Sequence, residues 1–231
     1  MLNKDKIIVA LDCSTEERAL DLVDTLDDQV GMFKIGLQLY MSCGKSIVES
    51  IVKLNKKVFL DLKFHDIPNT VGKAVKQAAD LGVDLISIHA DNELAAIEQA
   101  VNNQDCSKIV AVTVVSSYDE TEYQQRHNIA IHNQVHKMTN VVRNTGVYGI
   151  VCPPKSTKFI RSNHEFDHLK IINGGMRPAW AYIDDQNGAM MPRQAIADGA
   201  DYIVIGRAIT NPPKEMGSVH KAVKVILEEL A

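Results

Sequence analysis

The sequence lacks the features that mark membrane, secreted and nucleic-acid-binding proteins. None of its apolar runs approaches the roughly 20 residues needed to span a bilayer. The first 12 residues are too short and too charged for a signal peptide, since they include Lys4, Asp5 and Lys6. The net charge of −4 at pH 7 gives no sign of a surface for nucleic acid or anionic lipid. We therefore expect a cytoplasmic protein that binds neither nucleic acid nor membrane.

Metal-binding patterns are also missing. The 4 cysteines are scattered without a Cys-x-x-Cys pair, which indicates free thiols in a reducing compartment and argues against structural zinc. The 8 histidines form no His-Glu-x-x-His arrangement. His132 and His136 are four residues apart on a predicted helix, but two ligands make an incomplete zinc site. We interpret this pair as part of a polar helix face and predict no metal site.

Strand and helix patterns alternate along the chain without a break in composition. Alternation of this kind predicts a parallel sheet, and eight units in 231 residues predict a single-domain (β/α)8 TIM barrel spanning residues 1–231. A doubly wound open sheet is the main alternative, but no Gly-x-Gly-x-x-Gly follows the first strand. The predicted strands are residues 7–11, 31–35, 58–61, 85–88, 109–115, 149–151, 169–172 and 202–205. The predicted helices are residues 15–26, 45–54, 70–81, 93–101, 131–144, 155–161, 192–198 and 219–230.

The most informative stretch joins the end of the third strand to a charged loop. Asp61 and Lys63 lie two apart on the strand, so their side chains are expected to point the same way. Asp66 follows on the loop before Pro68, which stops the strand. Flanking carboxylates favour the protonated ammonium, which suits a proton donor and not a Schiff-base lysine. The alternative is a set of surface ion pairs at a strand end.

Polar residues also follow other predicted strands. Asp12 ends the first strand, Lys34 lies inside the apolar second strand, Ser87 lies at the end of the fourth, and Ser116 follows the fifth. In a (β/α)8 barrel the carboxyl ends of the strands meet at one face, which carries the active site. A buried unpaired charge is costly, so we expect Lys34 to pair with Asp12 and Asp61.

Two glycine-arginine segments predict a phosphate site. Gly174, Gly175 and Arg177 follow the seventh strand, and Gly206 and Arg207 follow the eighth. Glycine lets backbone N–H groups approach an anion, and arginine binds phosphate with a fork of donors. The loops after strands seven and eight are where such barrels commonly hold phosphate.

The stretch of residues 173–191 is long for a loop between a strand and a helix. It carries Asp184, Asp185, Gln186 and Asn187 and has no strong apolar pattern. We interpret it as a lid that folds over the phosphate. A disordered excursion is the alternative.

These motifs resemble those of the orotidine 5′-phosphate decarboxylase family over residues 7–210. The most specific segment runs from Asp61 through Lys63 and Asp66 to Thr70, as Asp-Leu-Lys-Phe-His-Asp-Ile-Pro-Asn-Thr. Further matches are Ala10-Leu11-Asp12, Lys34-Ile35-Gly36, Arg177-Pro178, Asp184-Asp185-Gln186 and Gly206-Arg207. The resemblance implies conversion of orotidine 5′-monophosphate (OMP) to UMP, the last step of pyrimidine nucleotide synthesis.

The same resemblance implies a role for each matching residue. Lys63 would be the proton donor, in one charged network with Asp61, Asp66 and Lys34. The substrate contacts would come from the ribose ligands Asp12 and Lys34, the pyrimidine ligand Ser116, and the phosphate ligands Arg177, Gln186, Gly206 and Arg207. The resemblance also implies a homodimer without cofactor or metal, in which Asp66, Ile67 and Thr70 complete the neighbour's site.

Two segments depart from the family pattern. Asn173-Gly174-Gly175 replaces the usual Thr-Pro-Gly, which leaves the stiffness of the phosphate loop open. Val115-Ser116-Ser117 replaces Leu-Thr-Ser and keeps a hydroxyl.

Three other functions remain as alternatives. A sugar-phosphate lyase related to 3-keto-L-gulonate 6-phosphate decarboxylase shares Asp-x-Lys-x-x-Asp. It needs Mg²⁺ held partly by a glutamate where this chain has Lys34, and a cation there would repel the metal. A Schiff-base aldolase would need Lys63 neutral. A non-catalytic barrel that only binds a phosphorylated ligand is the third.

Overall fold

The computed structural model describes residues 2–181 and 189–231. Within them lie eight short strands, most of them apolar runs rich in Ile and Val, as expected for strands buried on both faces. They are β1 (Ile7–Ala10), β2 (Met32–Gly36), β3 (Val58–Phe64), β4 (Leu85–His89), β5 (Lys108–Val112), β6 (Gly149–Cys152), β7 (Lys170–Asn173) and β8 (Tyr202–Ile205).

The eight strands form a closed parallel barrel in sequence order. Closure occurs where β1 pairs with β8, in the register Ile7 with Ile203. The predicted single-domain TIM barrel is therefore confirmed, and the open-sheet alternative is wrong, because an open sheet would leave β1 and β8 as unpaired edges.

Helices follow the strands and form the outer layer. They are α1 (Glu16–Leu26), α2 (Leu37–Cys43), α3 (Lys45–Lys53), α4 (Pro68–Ala79), α5 (Leu94–Asn102), α6 (Glu120–His127), α7 (Ile131–Val142), α8 (Thr157–Arg161), α9 (Pro192–Ala197), α10 (Arg207–Thr210) and α11 (Val219–Glu229). In the described part of the chain, no helix is long and apolar enough to cross a membrane.

Alternation along the strands divides the core into two layers. Ile8 and Ala10 point into the barrel, where they join one small apolar cluster. Ile7 and Val9 point outward and join the larger cluster between strands and helices. Burying each Ile or Val side chain contributes about 1.5–3 kcal/mol, so the two layers hold the strand ends in a fixed ring.

Three helices were not predicted from the sequence: α2, α6 and α10. Each has little apolar periodicity: α2 buries Leu39 and α6 buries Tyr123, while α10 has only 4 residues. The side chain of Asp119 caps α6 by accepting hydrogen bonds from the backbone N–H groups of Thr121 and Glu122. Local hydrogen bonding therefore supports a helix that the hydrophobic pattern does not reveal.

Strand β3 is longer than predicted. It continues three residues past Asp61, to Phe64. Its pairing with β4 shifts register between Leu60 and Phe64, and Lys63 has φ +54°. This irregular segment carries the two central residues of the predicted site.

Candidate active site

A cavity of about 290 Å³ opens at the carboxyl ends of the strands. This is near the lower end of the volumes of small-molecule pockets. Ten of the residues predicted from the sequence line it: Asp12, Lys34, Asp61, Lys63, Ser116, Gly174, Gly175, Arg177, Gly206 and Arg207. The closed barrel therefore brings together residues that are almost 200 positions apart in the chain.

A charged network occupies the side of the cavity formed by β1, β2 and β3. The Lys63 Nζ lies 2.9 Å from the Asp61 Oδ1. The Lys34 Nζ lies 3.5 Å from the Asp61 Oδ2 and 3.4 Å from the Asp12 Oδ1. The predicted partners of Lys34 are thus confirmed, and Asp61 bridges two ammonium groups.

Asp61 is held in its ionised form. Its side chain is buried, and burial alone would raise the pKa of the carboxyl. Attraction to Lys34 and Lys63, with hydrogen bonds from Lys63 and Ser87, outweighs burial, and the pKa of Asp61 falls below its ordinary value of 3.8. The site therefore holds a fixed negative charge directly beside the Lys63 ammonium.

Gly36 leaves room for this network. A Cβ built at Gly36 would lie 2.7 Å from the Lys34 Nζ and 3.4 Å from the Asp12 Oδ1. A larger residue at the end of β2 would push the Lys34 ammonium from its place between the two carboxylates.

The neighbouring rim of the cavity, next to β1, is built from the loops after β7 and β8. Gly174, Gly175, Arg177, Gly206 and Arg207 all line it. Gly175 has φ +75°, a conformation that other residues rarely adopt. Such backbone can present N–H groups to an anion beside the two guanidinium groups.

Asn173 anchors the start of the β7 loop. Its side chain is fully buried and accepts a hydrogen bond from the Thr157 hydroxyl at 2.8 Å. It also donates to the backbone oxygen of Cys152 at 3.0 Å. The departure from Thr-Pro-Gly therefore replaces the rigidity of proline with buried hydrogen bonds.

Asp66, Ile67 and Thr70 do not line the cavity. All three are exposed, and Ile67 is 64% exposed. The backbone N–H of Asp66 donates to the Asn92 Oδ1 at 3.2 Å. The expectation that both acids of one chain flank Lys63 needs correction: Lys63 pairs with Asp61, and the Asp66 carboxylate accepts a hydrogen bond from the Ile67 N–H. A role for Asp66, Ile67 and Thr70 in a neighbouring subunit stays a prediction.

Gln186, with Asp184, Asp185 and Asn187, lies outside the described residues. Its phosphate contact and the lid formed by residues 173–191 stay predictions. The two described ends of this loop meet, since the Arg177 N–H donates to the Met190 oxygen at 2.9 Å.

The described residues contain no group of three or more His, Cys, Asp or Glu side chains that could hold a metal ion. His132 and His136 both pack against the ring of Phe159. His136 also contacts Phe166, so this pair is less polar than the predicted helix face. All four cysteines are free thiols.

The sequence places Ser87 among the polar residues at the strand ends, but it gives no role to Ser87 or to Asn92, and both are buried. The Ser87 hydroxyl contacts both Asp61 and the backbone of Lys63. The Asn92 side chain donates to the Phe64 oxygen at 2.9 Å and accepts from Asp66. Their contacts with the Asp-x-Lys strand depend on the pairing of β3 with β4, which the sequence pattern does not specify.

The fold and the cavity define a class of protein: a barrel enzyme with a lysine–aspartate pair at its centre and glycine–arginine loops at one rim. Comparison with known protein families identifies which family within this class the chain belongs to. The chain belongs to the orotidine 5′-phosphate decarboxylase / HUMPS family, whose model matches residues 5–222. The resemblance seen in the motifs is confirmed.

Individual relatives agree with this assignment. An orotidine 5′-phosphate decarboxylase of Pasteurella multocida is 39% identical over 229 residues, covering 95% of this chain and 98% of its own. One from Actinobacillus succinogenes is 38% identical over 224 residues, covering 93% and 96%. The crystal structure of the enzyme from Lactobacillus acidophilus matches with a TM-score of 0.81 at 28% identity, covering 97% of this chain and 98% of that one.

Proposed function

We propose that this protein decarboxylates OMP to UMP and CO2, the last step of de novo pyrimidine nucleotide synthesis. One observation carries the proposal: the Lys63 ammonium reaches into the cavity while it is paired at 2.9 Å with the buried carboxylate of Asp61. The names of the relatives support the same reaction.

The chemistry needs a fixed cation at one carbon atom. When the bond between C6 and the carboxyl group of OMP breaks, the electron pair stays on C6 in the plane of the ring. No carbonyl is placed to delocalise it. An ammonium held at C6 stabilises this charge and then donates a proton to it. Lys63 regains the proton from water after UMP has formed.

The charge of the cavity suits this substrate. Its described lining holds four cationic side chains, Lys34, Lys63, Arg177 and Arg207, and two carboxylates. OMP carries a phosphate and a carboxylate, so an excess of positive charge favours its capture.

The rim residues would hold the remote parts of OMP. We propose that Arg177, Gly206 and Arg207 bind the phosphate, together with Gln186, that Asp12 and Lys34 bind ribose hydroxyl groups, and that Ser116 binds the pyrimidine amide. Two unit charges about 4 Å apart interact by about 4 kcal/mol at an effective dielectric constant of 20. Enzymatic accelerations need about 8 kcal/mol or more, so binding energy from these remote groups must contribute.

We further propose a two-fold homodimer with shared active sites. Asp66 and its neighbours Ile67 and Thr70 are exposed beside the mouth of the barrel without lining their own cavity. A symmetric dimer would exchange this loop in both directions. The partner's copy would then supply the second carboxylate near Lys63.

The sugar-phosphate lyase reaction is the main competitor. It requires Mg²⁺ near the position of Lys34. In this chain the Lys34 ammonium lies within 3.5 Å of both Asp12 and Asp61, so it occupies the place of a cation and neutralises the carboxylates that would bind one. We therefore propose that activity does not depend on a metal.

The test is to incubate the purified protein with OMP and follow the loss of its ultraviolet absorbance, with EDTA and with Mg²⁺ in parallel. The same protein is assayed with 3-keto-L-gulonate 6-phosphate. We expect turnover of OMP alone, unchanged by EDTA. If the protein instead turned over the sugar phosphate, and only in the presence of Mg²⁺, it would be a sugar-phosphate lyase. Binding of OMP without CO2 release would leave a non-catalytic barrel.

A further inference from the structure

The most unusual contact outside the cavity involves the hydroxyl of Ser87. This residue lies in β4 between Ile86 and Ile88 and is 0% exposed. Its two neighbours pair with Leu60 and Phe64 of β3, with the register shift between them. Ser87 therefore lies opposite the irregular segment of β3, which contains Asp61 and Lys63.

The Ser87 hydroxyl holds both of these residues. Its oxygen accepts a hydrogen bond from the backbone N–H of Lys63 at 2.8 Å. Its own proton is donated to the Asp61 Oδ1 at 2.9 Å. The same Oδ1 is the atom that the Lys63 Nζ contacts at 2.9 Å. Ser87, Asp61 and Lys63 thus form a closed ring of hydrogen bonds.

The hydrogen bond from the Lys63 N–H to the Ser87 hydroxyl lies where the regular pairing of β3 with β4 is interrupted. Where two strands lose register, a residue of the bulged strand is left without its ladder partner, and its side chain is re-aimed. Lys63 also has φ +54°, which is unfavourable for a residue with a side chain. The hydroxyl therefore fixes the backbone that decides where the ammonium points.

We propose that Ser87 is a positioning residue for the decarboxylation proposed above. It does not line the cavity, so it acts through Lys63 and Asp61 and not on the substrate. This inference rests on the proposed function and adds to it a residue that keeps the Lys63 ammonium aimed at C6.

The proposal predicts a split between kcat and KM. The phosphate rim is built from the loops after β7 and β8, on the far side of the cavity from β4. Ser87→Ala should therefore leave KM for OMP within about twofold. Misplacement of a reacting group by about 1 Å can cost about 10²-fold in rate, so kcat should fall by about 10- to 100-fold. Ser87→Thr retains the hydroxyl and should recover most of the loss.

A matched control exists in Ser107. It is 5% exposed, and its hydroxyl donates to the backbone oxygen of Val83 at 2.6 Å. Val83 precedes β4 and Ser107 precedes β5, so this hydrogen bond lies at the end of the barrel away from the cavity. Ser107→Ala removes the same group from an equally buried site, so it reports the effect of losing any buried hydroxyl.

The experiment measures steady-state kinetics with OMP for wild type, Ser87→Ala, Ser87→Thr and Ser107→Ala, after thermal unfolding shows that each variant is folded. Amide hydrogen exchange at Lys63 gives a readout without substrate. We expect faster exchange at Lys63 in Ser87→Ala alone. An active wild type with unchanged kcat in Ser87→Ala, or an equal loss in Ser107→Ala, would overturn the inference. A wild type inactive on OMP would instead refute the proposed function, and the inference with it.

Discussion

Replacement of Lys63 by alanine tests the proposed proton donor. The change removes an ammonium that lies 2.9 Å from the Asp61 Oδ1. Asp61 keeps Lys34 at 3.5 Å and the Ser87 hydroxyl at 2.9 Å. The buried carboxylate is therefore not left alone. We expect the variant to fold, with a stability loss of about 1.5–3 kcal/mol, the range for a hydrogen bond to a charged group.

The catalytic loss should be much larger. An ammonium about 4 Å from the developing charge contributes about 4 kcal/mol at an effective dielectric constant of 20. At about 1.4 kcal/mol per tenfold change, this corresponds to about 10³-fold. Loss of a positioned proton donor should lower kcat by a further factor of about 10² to 10⁴. We expect kcat to fall by at least about 10⁵-fold.

The assay compares UMP formation from OMP with UMP binding by calorimetry. Lys76→Ala is the matched control, because Lys76 is an ion-paired lysine on the outer helix α4, bound to Asp80 and Asp105. It should retain wild-type kcat. Turnover by purified Lys63→Ala within tenfold of wild type would refute the assignment of Lys63 as proton donor.

Other consequences of the account can be measured in the same way. Arg207→Ala should impair turnover of OMP far more than turnover of orotidine, which lacks the phosphate; equal relative losses would make Arg207 structural. Lys63→Ala and Asp66→Asn chains should each be inactive alone. When the two variants are mixed and exchange subunits, random pairing makes half the dimers mixed, and one of the two sites in each mixed dimer has both residues intact. About a quarter of the wild-type number of active sites should therefore return. No recovery despite verified exchange would remove the shared site. The pKa of Asp61 lies below 3.8 in the folded protein, so its stabilisation is fully present above that pH and is lost as pH falls through the lowered value. The stability difference between wild type and Asp61→Asn in urea should therefore stay constant from pH 7 to 5 and shrink only in acid; shrinkage above pH 5 would contradict the sign.

The barrel could be predicted because its strands are short apolar runs between helices. The predicted bounds of β8 agree with the structure, and those of the other strands differ by a few residues. Helices such as α6 escaped prediction because their faces are nearly all polar, with Tyr123 as the buried residue. Their stability comes from capping and from neighbours that only the folded chain provides.

The positions of the site residues were predictable for a topological reason. Parallel strands in a closed barrel bring all their carboxyl ends to one face, so polar residues after β1, β2, β3, β5, β7 and β8 meet there. Simple alternation correctly predicted that Asp61 and Lys63 meet. It did not predict the register shift and the positive φ of Lys63, because these arise from the pairing of β3 with β4.

The spacing of residues in the sequence did not predict two features of the site. The spacing of Asp66 from Lys63 predicted a second carboxylate at the lysine, but Asp66 does not line its own chain's cavity, and its N–H binds Asn92. The role of Ser87 could not be predicted either, since a serine in an apolar strand has no distinctive spacing. Its contacts exist only once β4 lies beside the bulge.

A crystal structure of the protein with bound UMP tests the central claim most directly. The account predicts the phosphate at Gly206 and Arg207, and C6 of the pyrimidine within about 3–3.5 Å of the Lys63 Nζ, the separation of groups poised to react. It also predicts Asp66 of a second subunit beside that ammonium. A nucleotide bound outside the barrel mouth, or bound there with C6 turned away from Lys63, would contradict the account.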